Sequence, residues 1–328
     1  MTAQFGGHVC YSAQIEADYK KYVKMFGAHM DIREFAKLYW ERAEGRLKAK
    51  IPKAVDDSFA LPQSDEEREI KRLIDEYNDS QTKALEEELF KQRARLVEAE
   101  RTLQTKTTKA AMESKRIASD NIEAALLRLD DLKRIEDEPR DSRIFPGHYA
   151  PVLIQEAGQL VVRPMRYQCR IAGKPANYDF KFPGTYNARL DSLAKFWAPL
   201  FGYSHGIVIV DSFYENVARS KMEGRVLAEG EEDENVVLQF TPRDGSRMLV
   251  ACLWSKWTAP GEPDLYSFAA ITDEPPPEVA EAGHDRCIIS IKPANVAAWL
   301  NPNPEDLAAQ YAILEDKVQP YYEHRLAA

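Results

Sequence analysis

Between Pro62 and Pro139 the chain contains neither glycine nor proline, the two residues that most often interrupt a helix. Ser64 followed by Glu67 matches a capping box and predicts a helix start. Two apolar series then recur at helical spacing, first Ile70, Leu73, Ile74, Tyr77, Leu85, Leu89, Leu96 and Leu103, then Ile117, Ile122, Ala125, Leu126, Leu129 and Leu132. One straight helix of this length would exceed about 100 Å. The pattern therefore predicts an antiparallel helical hairpin, a coiled coil, over residues 63–138.

The rest of the chain has a mixed pattern. The segment DIREFAKLYWERAEGRL before the hairpin is helical in spacing, whereas after Pro146 short strands follow one another without intervening helices. Asp244-Gly245 between two of these strands is typical of a hairpin turn. This order predicts the α+β class, with a mainly antiparallel sheet and flanking helices. We expect an extension over 1–9, a body formed by 10–62 and 139–328, and the inserted hairpin over 63–138.

Composition excludes several classes of protein. Hydrophobic residues make up 44% of 328, enough for a core, and a net charge of −9 opposes a broad grip on duplex DNA. No apolar run reaches about 18 residues and the N-terminus does not resemble a secretory signal, so no membrane association is expected. The cysteines are far apart, which fits a reducing cytoplasm: Cys10, Cys169, Cys252 and Cys287. No nucleotide or zinc motif is present, and no cofactor or metal is expected.

Four residues attract attention for chemistry. Cys10 lies in a polar, weakly structured setting, and Glu215 ends an apolar run. His284 precedes a strand and Asn187 lies in a turn-like segment. Each has an ordinary structural explanation: a half-buried strand residue, a solvated strand end, a turn cap and a turn former. Composition and spacing do not join the four into one site.

Five segments of this chain, read in order, resemble the successive motifs of the SRAP (SOS response-associated peptidase) family. They are TYNARLDSL, IVIVDSFYEN, LVACLWSKW, FAAITDEPPPEV and AGHDRCIIS. The resemblance covers roughly residues 10–60 and 140–302, interrupted by the hairpin. It implies a barrel-like body and a reaction in which a mature N-terminal cysteine captures the aldehyde of an abasic site in single-stranded DNA as a thiazolidine.

The resemblance assigns a role to each motif residue. Cys10 would be the nucleophile, and its α-amine and thiol, with reference pKa values of about 7.7–8.0 and 8.5, are both partly available near neutral pH. Asn187 would orient the amine, Glu215 would act as acid/base at the sugar ring oxygen, and His284 would shuttle protons. The residues expected to contact DNA are Arg189, Arg286 and, on a looser motif, Arg166.

The sequence departs from the family pattern at several positions. The family begins Met-Cys-Gly-Arg, whereas this chain reads Val9-Cys10-Tyr11-Ser12, so the early arginine is absent. Asp191 replaces a glutamate, Asn216 a tryptophan and Cys287 a methionine. Tryptophans that precede the Asn-Ala-Arg motif are missing, with Tyr178, Phe180 and Phe182 nearby as stacking substitutes. These changes affect the DNA contacts more than the chemistry.

Two other functions compete with DNA crosslinking. One is a self-processing peptidase that uses Cys10, Glu215 and His284 without a DNA substrate. The other is a protein-interaction module whose working part is the hairpin, which would bind a protein partner. The residues before Cys10 also have three explanations: a true start at Val9 through a GTG codon, self-cleavage of the Val9–Cys10 bond, or a permanent extension. We favour the start at Val9, because MTAQFGGH shows no apolar periodicity.

Overall fold

A computed structural model describes residues 12–327. The strands in this range are β1 (Ser12–Ile15), β2 (His29–Met30), β3 (Arg143–Ile144), β4 (Tyr149–Glu156), β5 (Gln159–Tyr167), β6 (Asn187–Arg189), β7 (His205–Ala218), β8 (Asn235–Pro242), β9 (Met248–Trp257), β10 (Leu265–Asp273), β11 (Cys287–Ile288), β12 (Ser290–Ile291), β13 (Lys317–Val318) and β14 (Tyr322–Leu326). The helices are α1 (Tyr19–Phe26), α2 (Ile32–Ala43), α3 (Lys53–Asp57), α4 (Asp65–Thr105), α5 (Lys109–Lys133), α6 (Tyr178–Lys181), α7 (Arg219–Met222), α8 (Pro277–Glu281), α9 (Val296–Leu300) and α10 (Leu307–Glu315). Short 3-10 helices cover Pro139–Ser142, Leu190–Ser192 and Pro293–Asn295.

The long strand β7 organises the sheet. Its first half pairs with β9 on one side and β4 on the other, and its second half pairs with β8 and β1, all antiparallel. From β9 the sheet continues through β10, β5 and β4 back to β7. The sheet thus curls back on itself without closing into a regular barrel. The α+β class, the mainly antiparallel sheet and the inserted helical hairpin predicted from the sequence are confirmed.

The turn at Asp244-Gly245 connects two strands that do not pair with each other. Gly245 has a φ of +68° and its N–H donates to the carbonyl of Pro242, so the tight turn itself forms as expected. Strands β8 and β9 on either side of it pair instead with different halves of β7. The hairpin expected here is therefore wrong, because β7 is long enough to provide a partner for both strands.

The apolar core lies on both faces of the curled sheet. One buried cluster fills the concave inside and includes Val152, Val208 and Phe268. The other lies under the helices and includes Tyr22, Phe35 and aromatic and aliphatic residues of the C-terminal helices. With both faces covered, the central strands are apolar on both sides, which explains runs such as HGIVIV in β7.

The hairpin consists of α4, with 41 residues, and α5, with 25. The Ser64 side chain accepts from the Glu67 N–H, as the capping box predicts. The first turns of α4 belong to the body, because Ile70, Leu73 and Ile74 are buried in its core. The guanidinium of Arg42 also lies 4.4 Å from the ring centroid of Tyr77.

The division of the chain at residues 62 and 139 stays a prediction. None of the helices in residues 12–327 is both long and apolar enough to cross a membrane.

Candidate active site

Two ionisable side chains meet in the interior. Glu215 lies near the end of β7, and His284 lies in the loop between α8 and β11. Nε2 of His284 is 2.9 Å from Oε2 of Glu215, and neither side chain is exposed to solvent. Two predicted site residues, 69 positions apart in the sequence, are thus in direct contact.

A glycine makes the turn that delivers His284. Gly283 has a φ of +98°, and a Cβ there would lie 2.9 Å from Cβ of Lys221. The backbone N–H of His284 then donates to the carbonyl of Val279 in α8. Any other residue at position 283 would strain the backbone and collide with Lys221. The local sequence AGHD therefore aims the imidazole inward.

The surroundings of His284 favour its protonated form. Burial by itself disfavours the imidazolium, but the hydrogen bond and negative charge of Glu215 outweigh it, so the pKa of His284 is raised above its ordinary 6.5. Nδ1 lies 2.9 Å from the carbonyl oxygen and 3.2 Å from the backbone nitrogen of Arg286, and in the protonated ring it donates to the carbonyl. The pair can therefore hold a proton and pass it between nitrogen and carboxylate.

Asn187 is held by a hydroxyl on the neighbouring strand. Strand β6 runs parallel to β10, with Asn187 opposite Ala270. The hydroxyl of Thr272 donates to Oδ1 of Asn187, so the amide oxygen is engaged and the amide nitrogen is oriented as the donor. Thr272 also pairs with Ile288, which follows His284 along the chain. Strand β10 thus links the Asn187 segment to the His284 segment.

A small apolar cavity of about 20 Å³ lies inside the sheet, and its wall includes Phe213, Ala270 and Ile288 but none of Asn187, Glu215 and His284. Side chains two residues apart on a strand share a face. Glu215 therefore faces the same side of β7 as the cavity residue Phe213. By the same rule Thr272, with its partner Asn187, faces the same side of β10 as Ala270. All three residues are buried, and the structure brings Glu215 and His284 into contact, whereas the side-chain partner of Asn187 is Thr272.

Ser12, the first residue that the structure describes, lies beside the interior of the curled sheet. Ser12 pairs with Tyr214, the residue before Glu215, and also lines the cavity. The side chain of Arg143, on β3, donates to the hydroxyl of Ser12, and its guanidinium lies 3.7 Å from the ring centroid of Tyr214. Cys10, the predicted nucleophile, lies outside the described residues.

The three arginines expected to contact DNA occupy two different places. Arg189 is exposed and pairs with Asp191, which lowers the pKa of that carboxyl; the charges of Arg286 and Lys195 act in the same direction. The salt bridge of Arg189 is with Asp191, at 2.8 Å. Arg166 instead donates to Asp179, at 2.6 Å.

Asp179 also binds Arg170, and its carboxylate is buried. The Arg166 side chain is thus part of a buried ion-pair network. Its contact with DNA stays a prediction.

Sequence reasoning missed two residues of the site. Thr272 lies within the motif FAAITDEPPPEV, but nothing in that string indicates a contact with Asn187. Arg143 follows the hairpin and touches Ser12 across 131 positions of sequence. In residues 12–327 no group of three or more histidine, cysteine or acidic side chains is arranged to hold a metal ion.

Comparison with known proteins gives one family match. The profile of SOS response associated peptidases (SRAP) matches residues 101–327, a range that contains Asn187, Glu215 and His284. No curated protein matches the sequence.

The solved structures that match this chain include a protein from Bordetella bronchiseptica, at 16% identity over 57% of this chain and 87% of that one, with a TM-score of 0.43. A protein from Bacteroides thetaiotaomicron matches at 14% identity over 57% and 78%, also at 0.43. A phage-related protein from Bordetella bronchiseptica matches at 17% over 59% and 84%, again at 0.43.

Proposed function

The chain belongs to the SRAP family, which associates it with a peptidase-like role in the SOS response, and from this premise we propose that it captures abasic sites in single-stranded DNA covalently through Cys10. The observation that carries the proposal is the buried contact of 2.9 Å between His284 and Glu215. Two proton-transfer groups in contact can donate and remove the protons that aldehyde condensation moves.

The pairing of the first strand supports a role for Cys10 at this pair. Ser12 is paired with Tyr214, beside Glu215. Cys10 precedes Ser12 by two residues in the sequence. On this proposal its amine and thiol act beside the Glu215 carboxylate.

The proposed reaction forms two bonds to one carbon and releases water. The α-amine of Cys10 adds to the aldehyde carbon of the ring-opened sugar, and the carbinolamine loses water to give an imine. The thiol sulfur then adds to the imine carbon, and its proton passes to nitrogen, which closes the five-membered thiazolidine. Glu215 and His284 would donate and remove the protons at the sugar oxygen. Because this chemistry needs a free α-amine, residues 1–9 must be absent from the reactive form.

Several cationic and exposed aromatic side chains offer contacts for a single strand. Arg189, Arg286 and Lys195 supply positive charge for phosphates. Phe180, of which 87% is exposed, and Phe182 offer rings on which bases can stack. These aromatic and cationic groups support single-stranded DNA as the substrate despite the net charge of −9.

A second candidate function is cleavage of the Val9–Cys10 bond by the same residues, which would prepare Cys10 for capture. The family's peptidase character supports it. It would use the Cys10 thiol as nucleophile and the Glu215–His284 pair for proton transfer.

The test uses a protein whose gene encodes Met followed directly by Cys10, from which aminopeptidase removes Met. It is mixed with an oligonucleotide carrying one abasic site and run on a denaturing gel. We expect an adduct whose intact mass equals protein plus DNA minus one water. Cys10→Ser protein and an oligonucleotide without the abasic site are the controls.

Absence of the adduct from this protein would refute DNA capture. Incubation of the chain starting at Met1, followed by intact mass measurement, tests self-cleavage separately. An unchanged mass after prolonged incubation would refute the peptidase step.

A further inference from the structure

The two hairpin helices pack through a regular seam. On α4 the seam residues alternate four and three positions apart: Leu85, Leu89, Gln92, Leu96, Ala99 and Leu103. On α5 the buried alanines Ala111, Ala118 and Ala125 repeat every seven. This is the heptad spacing of an antiparallel coiled coil, with small residues on one side that allow close approach.

Two contacts fix how the helices are aligned along their length. Nε of Arg95 donates to the hydroxyl of Ser114 at 2.9 Å, and the ammonium of Lys115 lies 2.9 Å from a carboxylate oxygen of Glu100. Each residue of α5 can therefore be matched to the part of α4 that lies beside it along the hairpin axis.

Five large apolar side chains of α4 and α5 lie outside the seam and are exposed, and Leu127, 63% exposed, is the one that does not directly follow a seam residue. Phe90 and Val97 on α4 are 78% and 64% exposed, and Met112 and Leu126 on α5 are 48% and 39% exposed. Each follows a seam residue directly, as Leu89, Leu96, Ala111 and Ala125 precede them. In an antiparallel pair these positions fall on one side of the hairpin, opposite the side that carries the Arg95–Ser114 bond. We call these four residues the apolar strip.

The apolar strip has two-fold symmetry in its spacing. Phe90 and Val97 are seven residues apart, with their midpoint between residues 93 and 94 of α4, and the midpoint of Met112 and Leu126 is Ser119. Counting from the two cross-helix contacts places Ser119 level with residues 90–96 of α4. This range contains the midpoint of Phe90 and Val97, so a second hairpin turned end to end would set Phe90 against Val97 and Leu126 against Met112.

The charges on the same side follow the same symmetry. Glu123 and Arg116 lie on α5 on either side of Ser119, at nearly equal distances from it. In the turned copy the Glu123 carboxylate would face the Arg116 guanidinium. Within the described residues Glu123 has no ion pair of its own, whereas Arg116 is bound to Glu113 and Asp120 at the surface. Charge and apolar complementarity thus select the same partner and the same orientation.

We propose that the hairpin is a self-association surface, on which a second copy of this chain docks antiparallel through the apolar strip to form a four-helix contact. A two-fold interface uses the same patch on both subunits, so a patch must be self-complementary to form one. The apolar strip meets that condition. The proposal does not depend on DNA capture.

The test is the mass of the full chain in solution, measured by light scattering on a sizing column over a range of concentrations. The wild type is expected to run as a dimer. Phe90→Glu and Val97→Glu should each raise the dissociation constant at least about tenfold, because each buries a charge twice per dimer. Val226→Glu, at a position 94% exposed on the body, is the matched control and should remain dimeric.

A charge exchange checks the orientation. Glu123→Arg alone should weaken the dimer, and Glu123→Arg combined with Arg116→Glu should recover part of the loss, since the facing pair is restored with reversed signs. Circular dichroism of each variant confirms that the hairpin stays helical. A monomeric wild type at all concentrations, or dimers unaffected by Phe90→Glu and Val97→Glu, would overturn the proposal.

Discussion

The guanidinium of Arg143 donates to the hydroxyl of Ser12 from both Nε and Nη2, at 3.1 and 3.0 Å, and so ties the strand after the hairpin to the first strand of the sheet. The same guanidinium covers the ring of Tyr214, the backbone partner of Ser12. Tyr214 directly precedes Glu215. Arg143 therefore holds the start of β1 beside the buried Glu215–His284 pair.

Arg143→Ala should slow adduct formation by about ten- to a hundredfold at saturating DNA, because small displacements of a nucleophile are costly. Arg143→Lys should recover only part of the rate, since an ammonium cannot reproduce the forked contact. The measurement is the single-turnover rate of crosslinking as a function of DNA concentration. A change confined to the DNA concentration needed for half-maximal rate would identify Arg143 as a phosphate ligand instead of a positioning residue.

Glu215→Gln and His284→Gln should each reduce the rate of adduct formation by about 10²–10⁴. Both substitutions keep the shape of the buried pair but remove proton transfer. The double variant should be hardly slower than either single one, because the two groups act as a unit. Rates are read from denaturing gels, with thermal unfolding as the control for folding. Additive losses in the double variant would contradict a joint role.

Much of the sheet could be predicted from the sequence, because alternating and continuous apolar runs depend on local pattern. The strand runs through RMLVACLW and LYSFAAI became β9 and β10. The contact of Glu215 with His284 could be predicted only from the family resemblance, because nothing in the sequence around either residue indicates the other. The pairing of β6 with β10 and the contact of Arg143 with Ser12 join distant segments, and no spacing rule indicates them.

Two further findings show that a local sequence pattern does not identify the partner that a residue contacts. The periodic run at Ile70, Leu73 and Ile74 predicts a helix correctly, but it does not tell whether that face packs on a second hairpin helix or on the body. In the structure it packs on the body. Likewise the sequence around Arg166 does not reveal Asp179, 13 positions away, which binds the arginine inside the protein.

The raised pKa of His284 predicts a pH-dependent stability. Because the pKa in the folded protein exceeds the unfolded value, the stabilisation is complete below about pH 6.5 and is lost as pH rises through the folded pKa. Each unit of elevation is worth about 1.4 kcal/mol. The free energy of unfolding of the wild type relative to His284→Gln should therefore be larger near pH 6 than near pH 9, as measured by urea denaturation.

Two other histidines, one buried and one half-buried, do not disturb that comparison. Burial lowers the pKa of His148 to about 4 and that of His205 to about 3, and both are present in the wild type and in the variant. In a Glu215→Gln background the pH dependence of the difference should vanish or reverse, since burial alone then governs the imidazole. An unchanged pH dependence in that background would show that another group causes it.

Removing the outer part of the hairpin should abolish the proposed dimer while leaving the helix turns that pack in the core of the body. We consider deletion of residues 86–126, with Leu85 joined to Leu127 by roughly six glycine and serine residues. This deletion keeps a shorter pair of helices whose new ends lie beside each other along the hairpin. It also keeps the root of α4, where Ile70, Leu73 and Ile74 are buried and Tyr77 stacks on Arg42. Loop-closure entropy changes little with such a replacement.

The shortened protein, starting at Cys10, should therefore fold with a melting temperature within a few degrees of the wild type and form the abasic-site adduct at a similar rate. It should be monomeric, because all four residues of the apolar strip lie within or at the edge of the deleted segment. A longer deletion from Glu66 to Leu132 is the contrasting case and should fail to fold, because it removes three core residues from the body. A folded but unreactive product of the shorter deletion would show that the hairpin, or the dimer it forms, takes part in DNA capture.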